Sequence, residues 1–83
     1  MNTEQARTHV IAVLRRIAPE ADLDEVPPDV DLRDELDLDS MDFLSVLTTI
    51  EEQTGVTVPE LDYPQIMTID QFADYLAARL QTA

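Results

Sequence analysis

The sequence contains no cysteine, no tryptophan and no lysine, and it has a single glycine among its 83 residues. Without cysteine there is no disulfide framework, and any thiol chemistry must arrive on an attached group. One glycine excludes a glycine-rich loop that cradles phosphates. No apolar run approaches the roughly 18 residues of a membrane span, and the first residues lack the pattern of a signal peptide. We therefore expect a soluble, cytoplasmic protein.

Negative charge dominates the composition, with 18 acids against five arginines and a formal net charge of −13. Such a chain repels nucleic acid and anionic membranes and is attracted to basic protein surfaces. Residues 20–42 hold eleven of the acids and one base, Arg33. Runs of like charge are either solvated surface or recognition segments. We favour recognition, because this segment leads directly into the central helix.

Apolar residues recur at three- and four-residue spacing in three segments, which predicts three amphipathic helices. The segments are about Thr3–Ala18, the stretch between Asp39 and Gly55, and a last one from Thr68. Pro27 and Pro28 forbid a helix in the first connection, and Pro64 limits any helix in the second to a turn or two. We predict an all-α fold, a small bundle of three main helices plus one short helix, with a long loop between helices 1 and 2.

The same spacing predicts which side chains are buried. In the central helix we expect burial of Phe43, Leu44, Leu47, Ile50 and Thr54. The loop anchors are expected to be Val26, Val30, Leu32, Leu36 and Leu38. In the last helix Thr68 and Gln71 form a predicted capping box, and the buried stripe is Ile69, Phe72, Ala73, Leu76 and Leu80.

Ser40 stands at the start of the central helix. Asp39 is a preferred N-cap, and Asp42 is placed to act as its reciprocal partner. If Asp39 caps the helix, the Ser40 hydroxyl lies on the first turn beside unpaired backbone N–H groups, a place suited to a phosphate ester. The alternative is that Ser40 is itself the N-cap and nothing more.

Met41 is expected in water on the polar face of this helix. At about 100° per residue it lies opposite Leu47 and Ile50. A single exposed apolar residue is ordinary on a protein surface. Beside a candidate modified serine it is also where a partner protein would dock, and both interpretations stay open.

Residues 36–44, Leu-Asp-Leu-Asp-Ser-Met-Asp-Phe-Leu, resemble the attachment motif of acyl carrier proteins, in which Asp-Ser-Leu or Asp-Ser-Met opens the second helix. The resemblance covers nearly the whole chain in length, charge and helix order, and it includes Gly-Val-Thr-Val-Pro at 55–59. Many family members have glycine where this chain has Asp37. The turn must then be made without glycine, although aspartate tolerates positive φ better than most residues.

The resemblance implies a single carrier domain over residues 1–83 that is monomeric and catalyses nothing. Ser40, with Asp39 as motif residue and helix cap, would carry 4'-phosphopantetheine, added from coenzyme A by a separate phosphopantetheinyl transferase. Acyl groups would be held on the arm as thioesters and presented to enzymes of fatty-acid, polyketide or related biosynthesis.

The expected partners are the transferase and acyl-loading or acyl-processing enzymes with basic docking surfaces. The side chains expected to meet them are Met41, Asp37, Asp42, Glu51 and Glu52. The family also suggests that an attached acyl chain can withdraw between the second and third helical segments, with Leu47, Ile66 and Met67 as loose candidates for the lining.

Two alternatives remain from the residues themselves. One is a carrier of aminoacyl, D-alanyl or peptidyl groups loaded by an adenylating ligase. The other is an unmodified acidic adaptor in which Ser40 is a simple cap. A metal site is not expected, because no calcium-binding loop fits the spacing of the acids. A serine nucleophile would need a base, and His9, the one histidine, is expected to be a surface or half-buried residue of the first helix.

Overall fold

The computed structural model describes residues 2–27 and 29–81, which form helices and turns without a strand. The elements are α1 (Thr3–Ile17), α2 (Leu32–Glu35), α3 (Ser40–Thr54), a 3₁₀ helix (Glu60–Gln65) and α4 (Ile69–Gln81). The predicted all-α bundle of three main helices and a short one before the last is confirmed. The four-residue α2 inside the long loop was not predicted, because one turn is too short to show a helical period.

Side-chain caps set several of the helix ends. At the start of α1 the Asn2 side chain accepts from the Gln5 amide at 2.8 Å, and the Gln5 side chain accepts from the Asn2 amide at 3.1 Å. The Gln71 amide donates to Thr68 Oγ1 at 3.0 Å, which confirms the forward half of the capping box predicted for α4; the reciprocal bond to the Gln71 side chain is not formed within the described residues. Gly55 ends α3 with φ 77°, the left-handed conformation that glycine adopts without strain.

The core forms where α1 packs against both α4 and α3. The predicted stripe of α4 is buried except at its last member, Leu80, which is half-buried. The apolar stripe of α1 is likewise buried except at Ile17, and its buried members are Ala6, Val10, Val13 and Leu14. On α4 the buried side is wider than predicted, because Tyr75 and Ala77 are also covered. His9 is half-buried on α1, as expected.

The predicted stripe of α3 is wrong at Leu44. This side chain is 50% exposed, whereas Val46, which was not predicted, is 1% exposed. Thr54 is half-buried. At about 100° per residue, Leu44 lies about 110° from the middle of the buried face and Val46 only about 50° from it. That face consists of Phe43, Val46, Leu47 and Ile50.

The long loop is anchored at fewer of the predicted points. Leu32 and Leu38 are buried, as expected. The three other predicted anchors are half-buried. Val26 and Leu36 still pack against the core, as expected, whereas Val30 is not part of that cluster. These three lie in turns or at the end of α2, where one side of each residue stays in water.

One anchor of the loop was missed. Leu23 is 5% exposed and belongs to the core, although acids lie on both sides of it in the sequence. A second tie is made by the backbone, since the Leu32 amide donates to the Met67 carbonyl at 2.8 Å. Burying one leucine stabilises a fold by about 1.5–3 kcal/mol. The loop is therefore docked onto the bundle, and its path positions the start of α3.

Candidate functional site

Ser40 is the first residue of α3, and Asp39 is its N-cap. One carboxylate oxygen of Asp39, Oδ1, accepts from the backbone N–H of Asp42 at 2.8 Å. No reciprocal bond from the Asp42 side chain is formed within the described residues, so the predicted capping box is reduced to its forward half. The alternative in which Ser40 caps the helix is wrong, because Asp39 occupies that position.

In this arrangement the Ser40 hydroxyl has no role in capping α3. The residue is exposed, and its side chain makes no hydrogen bond to any residue of the described chain. It lies among the first N–H groups of α3, at the positive end of the helix dipole. An accessible, unbonded oxygen in that setting fits the attachment of an anionic phosphodiester.

The turn into α3 depends on Asp37. Its φ is 53°, and it is the one residue other than glycine with positive φ in the described chain. Immediately after it, the Leu38 amide donates to the Arg33 carbonyl at 3.1 Å, and the Leu38 side chain enters the core. Asp37 thus takes the left-handed conformation at the position where many members of the resembled family have glycine. It brings Asp39 to the capping position.

A cavity of about 380 Å³ opens beside Ser40. Its walls come from α2, α3 and the 3₁₀ helix, and its lining residues are Arg33, Ser40, Phe43, Leu44, Glu60 and Tyr63. The three residues suggested as a lining for an attached chain are not among those of this cavity, and that suggestion stays a prediction. Those three candidates lie elsewhere, two of them in the core and one half-buried: Leu47, Ile66 and Met67.

Aromatic contacts build the wall of this cavity. The rings of Phe43 and Tyr63 meet edge to face, with centroids 5.5 Å apart and planes at 84°. The Arg33 guanidinium carbon lies 5.6 Å from the centroid of the Phe43 ring, within the range of a cation–π contact. α2, α3 and the 3₁₀ helix therefore meet next to Ser40. Sequence periodicity could not show this meeting, since it involves three separate segments.

Two apolar side chains on the outside of α3 form what we call the α3 patch, Met41 and Leu44. Met41 is 77% exposed, as the periodicity predicts, and Leu44 is 50% exposed. Residues three apart on a helix are neighbours, so the two side chains form one surface. Leu61 on the 3₁₀ helix is 90% exposed. Because Leu44 was predicted to be buried, the sequence did not indicate this second exposed apolar side chain near Ser40.

The acids predicted to meet partners divide into two groups. Asp37 and Asp42 flank Ser40, Asp37 exposed and Asp42 half-buried. Glu51 and Glu52 are exposed near the other end of α3, about 16–18 Å along the axis from Ser40 at 1.5 Å per residue. None of these four has an ion pair within the described residues. By helical angle Glu52 lies in line with Met41.

A hydrogen-bonded cluster holds the 3₁₀ helix against α4. Asp62 Oδ2 accepts from the Tyr75 hydroxyl at 2.7 Å and from Arg79 at 3.0 Å, and the Arg79 guanidinium lies 4.6 Å from the Tyr75 ring centroid. Burial of the phenol and its bond to Asp62 raise the pKa of Tyr75. This cluster supports the wall that Glu60 and Tyr63 contribute to the cavity beside Ser40.

Two structural features are absent from residues 2–27 and 29–81. No group of three or more histidine, aspartate or glutamate side chains there is placed to hold a metal ion. No helix in that part is long and apolar enough to cross a membrane.

Comparison with known proteins gives a family-model match and several similar relatives. A family model described as a phosphopantetheine attachment site matches residues 8–76. The chain is 32% identical over 62 residues to an acyl carrier protein of Rubrobacter xylanophilus, covering 75% of each. It is 28% identical over 79 residues to an acyl carrier protein of Acidothermus cellulolyticus, covering 93% of this chain and 90% of the relative. Acyl carrier protein 2, mitochondrial, of Arabidopsis thaliana is 26% identical over 81 residues, which span 98% of this chain and 64% of that protein.

Proposed function

This chain belongs to the acyl carrier protein family, and from that membership we propose that Ser40 carries a 4'-phosphopantetheine arm. The observation that supports the proposal most directly concerns Ser40, which is exposed and whose hydroxyl makes no hydrogen bond to the described part of the chain, since Asp39 caps α3. Ser40 lies within the stretch matched by the family model.

Attachment requires a separate transferase and coenzyme A. The Ser40 Oγ attacks the β-phosphorus of coenzyme A, and the new O–P bond replaces the bond to 3',5'-ADP, which leaves. The hydroxyl proton passes to a base of the transferase. This chain contributes the acceptor oxygen and an electrostatic setting, at the start of α3, that favours the anionic product. It does not catalyse the step.

When bound, the arm supplies the thiol that this cysteine-free chain lacks, and acyl groups are held on it as thioesters. The protein then works as a tether, which raises the concentration of the cargo at each enzyme that docks. We propose one carrier domain over residues 1–83, monomeric and without catalytic activity of its own. The cytoplasmic location stays a prediction.

The docking surface is proposed to be the α3 patch together with the acids around it. Partners would be the transferase and acyl-loading or acyl-processing enzymes with basic surfaces. Long-range attraction to the acids speeds encounter, while the apolar patch supplies contact area. Within residues 2–27 and 29–81 no ion pair is made by Asp37, Asp42, Glu51 or Glu52, which supports this role because these carboxylates need not break such a pair to meet a partner.

The cargo distinguishes this proposal from its nearest rival. An aminoacyl, D-alanyl or peptidyl carrier would use the same serine and arm but would be loaded by an adenylating ligase. The names of the relatives favour acyl groups. An unmodified acidic adaptor is the other rival, and it would leave the Ser40 hydroxyl unsubstituted.

The decisive experiment is incubation with coenzyme A and a broad-specificity phosphopantetheinyl transferase, followed by intact-mass measurement. We expect the native chain to gain one phosphopantetheinyl group and Ser40→Ala to gain none. Ser45→Ala is the matched control, because Ser45 is an exposed serine on the same helix, and it should be modified normally. A native chain that stays unmodified, while a known carrier in the same tube is converted, would refute the proposal and favour the adaptor.

A further inference from the structure

Arg33 is an isolated cation in a strongly acidic segment. It is the one base among eleven acids in residues 20–42. Despite these neighbours, it forms no ion pair with any carboxylate of the described residues. Three other arginines do form such pairs: Arg7 with Asp70, Arg15 with Asp24, and Arg79 with Asp62.

The backbone at Arg33 is held firmly. Its N–H donates to the side chain of Asp31, the cap of α2, at 2.9 Å. The neighbouring Leu32 is 1% exposed, and its N–H donates to the Met67 carbonyl. The Arg33 carbonyl in turn accepts from the Leu38 amide. The side chain therefore projects from a fixed point of the loop.

The guanidinium is directed toward the cavity beside Ser40. It lies 5.6 Å from the centroid of the Phe43 ring, and Arg33 and Ser40 line the same space of about 380 Å³. Glu60 is the other charged residue of the lining, and it does not lie within ion-pair distance of Arg33. The cavity thus holds one cation that no carboxylate of the described chain satisfies.

We propose that Arg33 binds the phosphodiester formed on Ser40 and so directs the first part of the arm into the cavity between α3 and the 3₁₀ helix. This inference rests on the proposed function. Modification adds a further negative charge to a chain of net charge −13, and Arg33 is the one base in the cavity lining that can offset it. A guanidinium suits this task because its planar set of N–H donors binds phosphate oxygens in pairs.

The test compares unmodified and modified forms of four proteins: the native chain, Arg33→Gln, Arg33→Lys and Arg16→Gln. Arg16 is the matched control, since it also lacks an ion pair within the described residues but does not line the cavity. Intact mass first establishes that each protein carries the arm. The readouts are the ³¹P NMR resonance of the phosphodiester and the change in melting temperature on modification.

In the native chain and in Arg16→Gln we expect the ³¹P resonance to be shifted and broadened relative to a free phosphopantetheine diester. In Arg33→Gln it should return toward the free position, and modification should lower the melting temperature by about 2–4 °C more than it does in the native chain. Arg33→Lys, which keeps the charge without the planar donors, should be intermediate. About 0.5 M salt should remove most of the difference in melting temperature, because the Debye length falls to about 4 Å.

Several results would overturn the inference. One is an identical ³¹P resonance and an identical melting shift in Arg33→Gln and the native chain. Another comes from loading the arm with acetyl or malonyl groups. If Arg33→Gln alters only the malonyl form, the cation binds a carboxylate of the cargo, not the phosphodiester. If the native chain failed to acquire the arm, the mass measurement would show it, and that result would count against the proposed function itself.

Discussion

Replacing Tyr75 by phenylalanine should destabilise the protein and change how its stability depends on pH. The Tyr75 hydroxyl donates to Asp62 Oδ2 at 2.7 Å, and the residue is 8% exposed. A hydrogen bond to a charged group is worth about 1.5–3 kcal/mol. In Tyr75→Phe, Asp62 Oδ2 keeps its other donor, Arg79 at 3.0 Å, so we expect a loss at the lower end of this range of free energies. A loss of about 1.5 kcal/mol corresponds to a fall in melting temperature of about 6–12 °C.

The pH dependence follows from the raised pKa of Tyr75. Burial, and then the bond to Asp62, raise that pKa above the ordinary value of 10.0. The folded state therefore holds the phenol proton more tightly than the unfolded state does. This contribution to stability is fully present below pH 10 and is lost as the pH rises through the folded-state pKa. Because the chain has no lysine, no lysine ammonium titrates in the same range.

The assay is thermal unfolding followed by circular dichroism from pH 8 to 11.5, on the native chain, Tyr75→Phe and Tyr63→Phe. Tyr63 is the control, because its hydroxyl makes no hydrogen bond within the described residues. The difference in melting temperature between the native chain and Tyr75→Phe should narrow above pH 10. Tyr63→Phe should keep the native decline. A gap between the native chain and Tyr75→Phe that stays constant to pH 11.5 would refute the reasoning.

Three further changes test other parts of the structure. Leu23→Ala should lower the free energy of unfolding, measured in urea, by about 2–4 kcal/mol. Val26→Ala, at a half-buried site, should lower it by about 1 kcal/mol or less, and equal losses in the two variants would contradict the docking of the loop through Leu23. Asp37→Gly should have a free energy of unfolding up to about 1 kcal/mol higher than that of Asp37→Asn, which has the same charge, because glycine adopts positive φ without strain. The opposite order would show that backbone strain at this position does not reduce stability. Met41→Gln should reduce kcat/KM of the transferase roughly tenfold with an unchanged melting temperature, and unaltered kinetics would exclude this side chain from the contact.

Much of the fold could be predicted because it depends on neighbours in the chain. The three long helices follow from apolar spacing, and the ends at Asp39, Gly55 and Thr68 follow from residues that satisfy or terminate the backbone bonds of a helix. Each of these features involves residues only a few positions apart.

The errors arise where a residue has two possible environments. Leu44 is three residues from Leu47, and Val46 is three residues from Phe43, so the pattern accepts either as part of the stripe. Which one is buried depends on how α3 is rotated against α1, and the packing covers Val46. Leu23 was missed because a lone leucine among acids carries no periodic signal. An aliphatic side chain isolated in a charged loop is the clue that could have identified it.

The composition and the spacing of the residues were enough to specify an acidic helical bundle with a candidate serine at the start of its central helix. They could not specify what surrounds that serine. The cavity joins Arg33, Phe43 and Tyr63, and the loop is tied down where the Leu32 amide meets the Met67 carbonyl, 35 positions further along. Periodicity and capping act over a few residues, whereas such contacts exist only once separate segments have packed together.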